Sequence, residues 1–192
     1  MKIENRWKRY KWKEKSPASN IGKWLCTAFK PLLHSQKSYI KNSVDLVEKL
    51  KQIDISENSI LSSFDIVSMY TSIDVSKSEQ LLQNKLENNY HLIEESAIGL
   101  DIDVLMHLVK LCNKYSMHFQ FRDSYYNQVR GLPMGAPLSG LLANIFVENL
   151  ENWALDSYFL NHVFWGRFMD DIISVWNYGE SKLKSFLEHL NT

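Results

Sequence analysis

Asp170 and Asp171 stand side by side between two apolar runs, FWGRFM and IISVW. Adjacent carboxylates repel, and carboxylates in apolar surroundings are rare unless paired or bound to a metal. A hard divalent cation such as Mg²⁺ takes oxygen ligands and relieves that repulsion. A polar hairpin turn, where Asp is common, accounts for the same two residues. Asp65 has a similar setting, closing the apolar run ILSSF ahead of Ile66 and Val67. A lone Asp at a strand end is a cap or a turn, unless its strand lies beside the Asp170 hairpin. In that case three carboxylates meet, as in a two-metal site for in-line attack on phosphorus. The third chemical element is QVRGLPMGAPLSG, residues 128–140. Gly131, Gly135 and Gly140 permit tight turns and close approach of a ligand. The loop feeds a helix N-terminus, which suits anionic groups; an ordinary capped loop has the same composition.

The elements that must position these residues follow from periodicity. ILSSFDIV, residues 60–67, is short, apolar and β-branched, as a buried strand is. Residues 163–176 read as two apolar strands around the aspartate pair, and 117–129 as a hairpin turning at Arg122–Ser124. Helices are expected over 20–34 (interrupted near Pro31) and 43–53, the latter with Val44, Val47 and Leu50 on one face. Ser76 and Glu79 have capping-box spacing at the start of a helix whose core face is Leu82, Leu86 and Tyr90. Ile102, Leu105, Val109 and Cys112 carry another helix over about 102–115. Over 138–155, Leu138, Leu141, Leu142, Ile145, Phe146, Leu150 and Trp153 form one wide apolar face. A last amphipathic stretch covers 181–190. Mixed helices and hairpins make the class α+β.

The 192 residues suffice for a real core without disulfide staples, and Cys26 and Cys112 lie far apart with no Cys-x-x-Cys spacing. No apolar run approaches the roughly 20 residues of a membrane helix. The charged start lacks the apolar stretch of a secretory signal. An intracellular protein, nuclear or cytoplasmic, with no membrane partner is expected. Net charge is zero, but residues 1–15 hold seven Lys/Arg against two Asp/Glu. Trp7, Tyr10 and Trp12 are interleaved with those cations, a pattern shared by nucleic-acid-binding arms and disordered tails. Residues 1–17 read as such a tail.

Taken in order, FDIVSMYTSID, Q-x-x-G-L-P-M-G-A-P-L-S and F-M-D-D resemble motifs A, B and C of reverse transcriptases. GLPMGAPLSGLLANIFVENLE and WGRFMDDIISVW look most like Penelope-like retroelement polymerases. The resemblance runs from about residue 20 to about residue 180. It implies an incomplete right-hand polymerase: a palm with a small antiparallel sheet backed by helices, partial fingers and no thumb. The fingers would span about 18–58 and 78–130, and the palm about 59–77 and 131–192. By similarity Asp65 and Asp170 hold two Mg²⁺ or Mn²⁺ ions, Asp171 supports them, and the Ile66 carbonyl is an extra ligand. Tyr70 is a gate against the ribose 2′-hydroxyl. Gln128, Gly131, Pro133, Met134, Gly135 and Ala136 line the nascent base pair. Arg167 either touches a phosphate or pairs with a structural carboxylate. The implied partners are an RNA template, a DNA primer and deoxynucleoside triphosphates.

The sequence departs from that family at Phe168, where Tyr is usual, and at Ala136, where Ser is common. Pro17-Ala18-Ser19 stands where a basic finger stretch is expected, with Lys23, Lys30, Lys37 and Lys41 nearby but outside any matching motif. The alternatives are a catalytically inactive or repurposed remnant that binds nucleic acid or a protein partner, and an RNA-directed RNA polymerase. Tyr70 argues against the latter.

Overall fold

The apolar and capping patterns become ordered elements in the computed structural model, which describes residues 17–34, 36–121, 123–158 and 163–191. In chain order these are α1 (Pro17–Ala28), α2 (Lys30–His34), α3 (Ser43–Leu50), β1 (Ile60–Asp65), α4 (Met69–Ser72) and α5 (Val75–Asn89). After a 3₁₀ turn (Tyr90–Leu92) come α6 (Ile102–Ser116), β2 (His118–Phe121), β3 (Ser124–Asn127) and α7 (Ser139–Ser157). The chain continues through β4 (Phe164–Phe168), β5 (Asp171–Trp176) and α8 (Gly179–Leu190). The expected α+β class, with a small antiparallel sheet and helices, is what forms. No helix among the described residues is long and apolar enough to cross a membrane. Up to residue 16 the basic tail lies outside the described residues, as does Arg122 of the hairpin turn; Pro17 already begins α1.

Two compact units share the chain. One is His34–Met69 with Val147–Thr192, and the other is the described part of Met1–Leu33 with Tyr70–Phe146. The first unit is built on an antiparallel sheet in the order β1-β5-β4. Register and pleat sort its side chains. Ile60, Phe64, Ile172, Trp176, Trp165 and Arg167 share one face, and Leu61, Asp65, Asp171 and Phe168 the other. On the first face an aromatic core forms from Tyr158, Trp165, Ile172, Trp176 and Phe186. The Phe186 ring lies 5.3 Å from Trp176, stacked, and 5.6 Å from Trp165, edge-on. Such pairs add to what burial alone contributes.

In the second unit α1 and α5 pack on α6. Leu82 and Leu86 of α5 are buried, as are Leu105, Val109 and Cys112 of α6, in line with their spacing. Asp101 caps α6 by accepting from Val104 N–H at 2.9 Å. The N-cap of α5 is Asp74, which accepts from Lys77 N–H at 2.7 Å, rather than Ser76. The carboxylate of Asp74 caps two residues earlier, which puts Ser76 inside the helix. The break near Pro31 falls at Phe29, and Pro31 opens the first turn of α2, where its missing N–H costs nothing.

Two expected faces turn out differently. Helix α3 buries no residue, and Val44 stays 65% exposed. Asn42 caps it by accepting from Asp45 N–H at 2.9 Å, and the Lys49–Asp45 pair at 3.2 Å links successive turns, so local bonds support the helix. On α7 the buried stripe does not continue through Leu150 and Trp153, which are 48% and 52% exposed. It runs instead through Val147, Glu151 and Ala154 to Tyr158. The two halves of α7 belong to different units and bury different faces.

Phe186→Ala should lower stability by about 3–5 kcal/mol. Val44→Lys should change it by no more than about 0.5 kcal/mol. Denaturant unfolding followed by tryptophan fluorescence checks both.

Candidate active site

Each carboxylate of the site owes its place to the sheet. Strand β1 ends at Asp65, and its Cα partner on β5 is Asp171. Both are exposed, on the face opposite the aromatic core. Like charges on directly paired positions repel. Asp170 sits half-buried in the β4–β5 turn, where its carbonyl accepts from Ile66 N–H at 3.0 Å. That bond ties the turn to the residue that follows β1. The structure therefore gathers Asp65, Ile66, Asp170 and Asp171 at one end of one sheet. The donors they offer are all oxygen, a set matching hard divalent cations. Among the described residues, no three His, Cys, Asp or Glu side chains converge at metal-ligand spacing.

The turn itself is held from behind. Met169 has φ +58, a left-handed conformation uncommon outside Gly, Asn and Asp. Its carbonyl accepts from Arg167 Nη1 at 3.1 Å. Arg167 is paired with a carboxylate. The residue is fully buried, and its Nε lies 2.9 Å from Glu151 Oε1. Glu151 also accepts from Trp165 Nε1 at 2.9 Å and from Ser38 Oγ at 2.7 Å. The Arg167 backbone N–H donates to Ser38 O, and its carbonyl accepts from Ile40 N–H at 2.8 Å. The segment around Tyr39 thus flanks β4 as a bridge. Sequence reasoning passed over Glu151 and Ser38. The signal for Glu151 was spacing: it falls four residues after Val147 and three before Ala154, on the buried stripe.

The glycine-rich loop lies in the other unit, together with Tyr70. Leu132 N–H donates to Tyr70 O at 2.7 Å. Gly131 has φ +78, and a Cβ there would fall 2.6 Å from Thr71 Cα and 2.8 Å from Tyr70 O. Only glycine allows this backbone contact. Gln128 fastens the loop entrance, its Nε2 donating to Arg130 O at 2.9 Å and Gly131 O at 3.1 Å. Pro133 O accepts from Ser139 Oγ at 2.6 Å. Cys26 Sγ donates to Pro137 O at 2.8 Å, and burial, with the Cys112 thiol adding to it, pushes the Cys26 pKa up to about 11. Cys26 therefore stays a neutral thiol donor at physiological pH. Of the expected nucleotide-lining residues, Gly131, Pro133 and Ala136 are buried and shape the loop. Tyr70 is half-buried, whereas Met134, at 63%, and Gly135 are exposed at the tip. Gly135 has φ +86 with nothing within 4 Å of a Cβ position, so its backbone faces open space.

Residues 14–192 match the family described as "Reverse transcriptase (RNA-dependent DNA polymerase)". Among solved structures, the chain is similar to telomerase from Candida albicans, determined in complex with a fragment of telomeric RNA. The TM-score is 0.60 at 15% identity, over 92% of this chain and 32% of that one. At that identity the likeness is one of fold, and this chain spans about a third of the telomerase chain's length. No curated protein sequence matches it.

Gly131→Ala should cost about 2–4 kcal/mol, from the left-handed φ and the backbone clash together. Gly135→Ala carries only the conformational cost of about 1 kcal/mol. Thermal unfolding of the two variants side by side measures the difference.

Proposed function

Because the chain belongs to the reverse transcriptase family, we propose that it copies RNA into DNA by two-metal nucleotidyl transfer at Asp65, Asp170 and Asp171. The observation that carries this is register: Asp65 lies opposite Asp171, and the Asp170 carbonyl accepts from Ile66 N–H. Asp65, Asp170 and the Ile66 carbonyl would hold two Mg²⁺ or Mn²⁺ ions, with Asp171 in support. Such ions, when bound, activate the primer 3′-hydroxyl and offset charge on the triphosphate. The chain's own part is to hold its carboxylates in fixed positions, so that the reacting groups meet in line.

Tyr70 serves as the sugar gate, its ring excluding a 2′-hydroxyl. The exposed tip Met134–Gly135 borders the nascent base pair. Gln128, Gly131 and Pro133 keep that tip in shape through the loop bonds described above, and buried Ala136 packs beside them. The palm and fingers ranges and the Penelope-like retroelement origin belong to the same proposal. The origin is supported by GLPMGAPLSGLLANIFVENLE and by Arg167-Phe168-Met169-Asp170-Asp171. Phe168 is half exposed on the carboxylate face, where loss of the usual tyrosine hydroxyl leaves the ring in place.

The test is primer extension on an RNA template with deoxynucleotides and Mg²⁺ or Mn²⁺. Extension should fall to background in Asp65→Ala and in Asp170→Ala. Nucleic-acid binding that survives both substitutions, with no extension by the unaltered chain, would instead indicate a binding remnant. Tyr70→Ala should shift the ratio of ribonucleotide to deoxynucleotide use upward by about 10–100-fold. An unchanged ratio removes the gate.

A further inference from the structure

Arg167 and Glu151 lie behind the carboxylate turn rather than in it. We propose that Arg167 is the positioning residue of that turn and that Glu151 is what keeps it in place. A guanidinium buried without a counter-ion is costly. Here Glu151 Oε1 supplies the counter-charge at 2.9 Å, and the fork is aimed so that Nη1 donates to Met169 O at 3.1 Å. Met169 is the left-handed residue of the turn, with φ +58, and such a backbone persists only where its surroundings over-determine it. The Arg167 bond is one restraint; the next residue supplies another, since the Asp170 carbonyl accepts from Ile66 N–H. The Glu151 carboxylate is itself oriented by Trp165 Nε1 and Ser38 Oγ. A line of bonds therefore runs from α7 through Glu151, Arg167 and Met169 to Asp170, and then to the end of β1.

The decisive variant is Glu151→Gln combined with Arg167→Met. It leaves no buried charge, and a glutamine amide still accepts from Trp165 and donates to Ser38 Oγ. It removes the ion pair and, with it, the donor to Met169 O. Amide hydrogen exchange in the metal-free chain is read at Ile66 against the amides of the β1–β5 ladder. The positioning role predicts exchange at Ile66 at least about tenfold faster, with the ladder unchanged. Equal protection at Ile66 in the folded double variant overturns it. If the double variant does not fold, Glu151→Gln alone is read in the same way, with the same two outcomes.

A second readout follows Mn²⁺ binding by electron paramagnetic resonance. It rests on the two-metal reading; the exchange measurement does not. Affinity should fall about 10–100-fold in the double variant, as for other groups that orient metal ligands. Unchanged affinity alongside faster Ile66 exchange would also overturn the role. If the unaltered chain binds no Mn²⁺, the two-metal reading fails, and the exchange result alone decides the positioning.

Discussion

The buried ion pair of Arg167 with Glu151 governs the first unit. Taking both charges out of water is expensive, and their attraction offsets the cost only when the remaining donors and acceptors are satisfied. Here Trp165 and Ser38 donate to the Glu151 carboxylate, and Arg167 Nη1 donates to the Met169 carbonyl. The pair joins α7 to β4, fixes the segment that flanks β4, and sets the turn that follows. The aromatic core beneath the sheet supplies the bulk of the burial, but apolar contact has no direction. The direction comes from the ion pair.

The second unit solves a related problem with backbone instead of charge. Its loop must turn sharply, pack against Tyr70 and Thr71, and leave its tip open. Gly131 meets the first two needs by lacking a Cβ, and Gly135 meets the last by adopting a positive φ in open space. Gln128, Ser139 and Cys26 then fasten the loop at its entrance, middle and exit. Rigidity is concentrated in the buried residues, and exposure in the two between them.

Much of this was legible in the sequence, for identifiable reasons. The β1 and β4–β5 strands could be read because apolar, β-branched runs admit few alternatives, and the aspartates stood out against them. The core faces of α5 and α6 followed helical spacing through Leu82, Leu86, Leu105, Val109 and Cys112, but Tyr90 fell in the 3₁₀ turn beyond α5, and Asp74 rather than Ser76 caps that helix. What could not be read was tertiary. Val44 and Val47 have the spacing of a buried face, yet nothing in a helix period says whether a partner covers it. The face of α7 was misjudged beyond Phe146 because one helix serves two units, and a single apolar stripe cannot describe both halves. Glu151 was hidden for the same reason: a glutamate among polar helix residues looks solvated until its arginine is placed beside it. The three motif segments were readable, but their geometry was not. That Asp65 pairs with Asp171, while Asp170 is tied through its carbonyl to Ile66, depends on register.

The two edges of the sheet are not alike. Along β4 the segment at Ser38–Ile40 covers the outer backbone, whereas among the described residues no strand lies along the outer side of β1. An open edge is a template for pairing with another chain. Leu61, 66% exposed, adds an apolar foothold there. Two copies meeting edge to edge would therefore join along β1, the strand that ends at Asp65. Any such pairing would run beside the strand that carries Asp65 at its end.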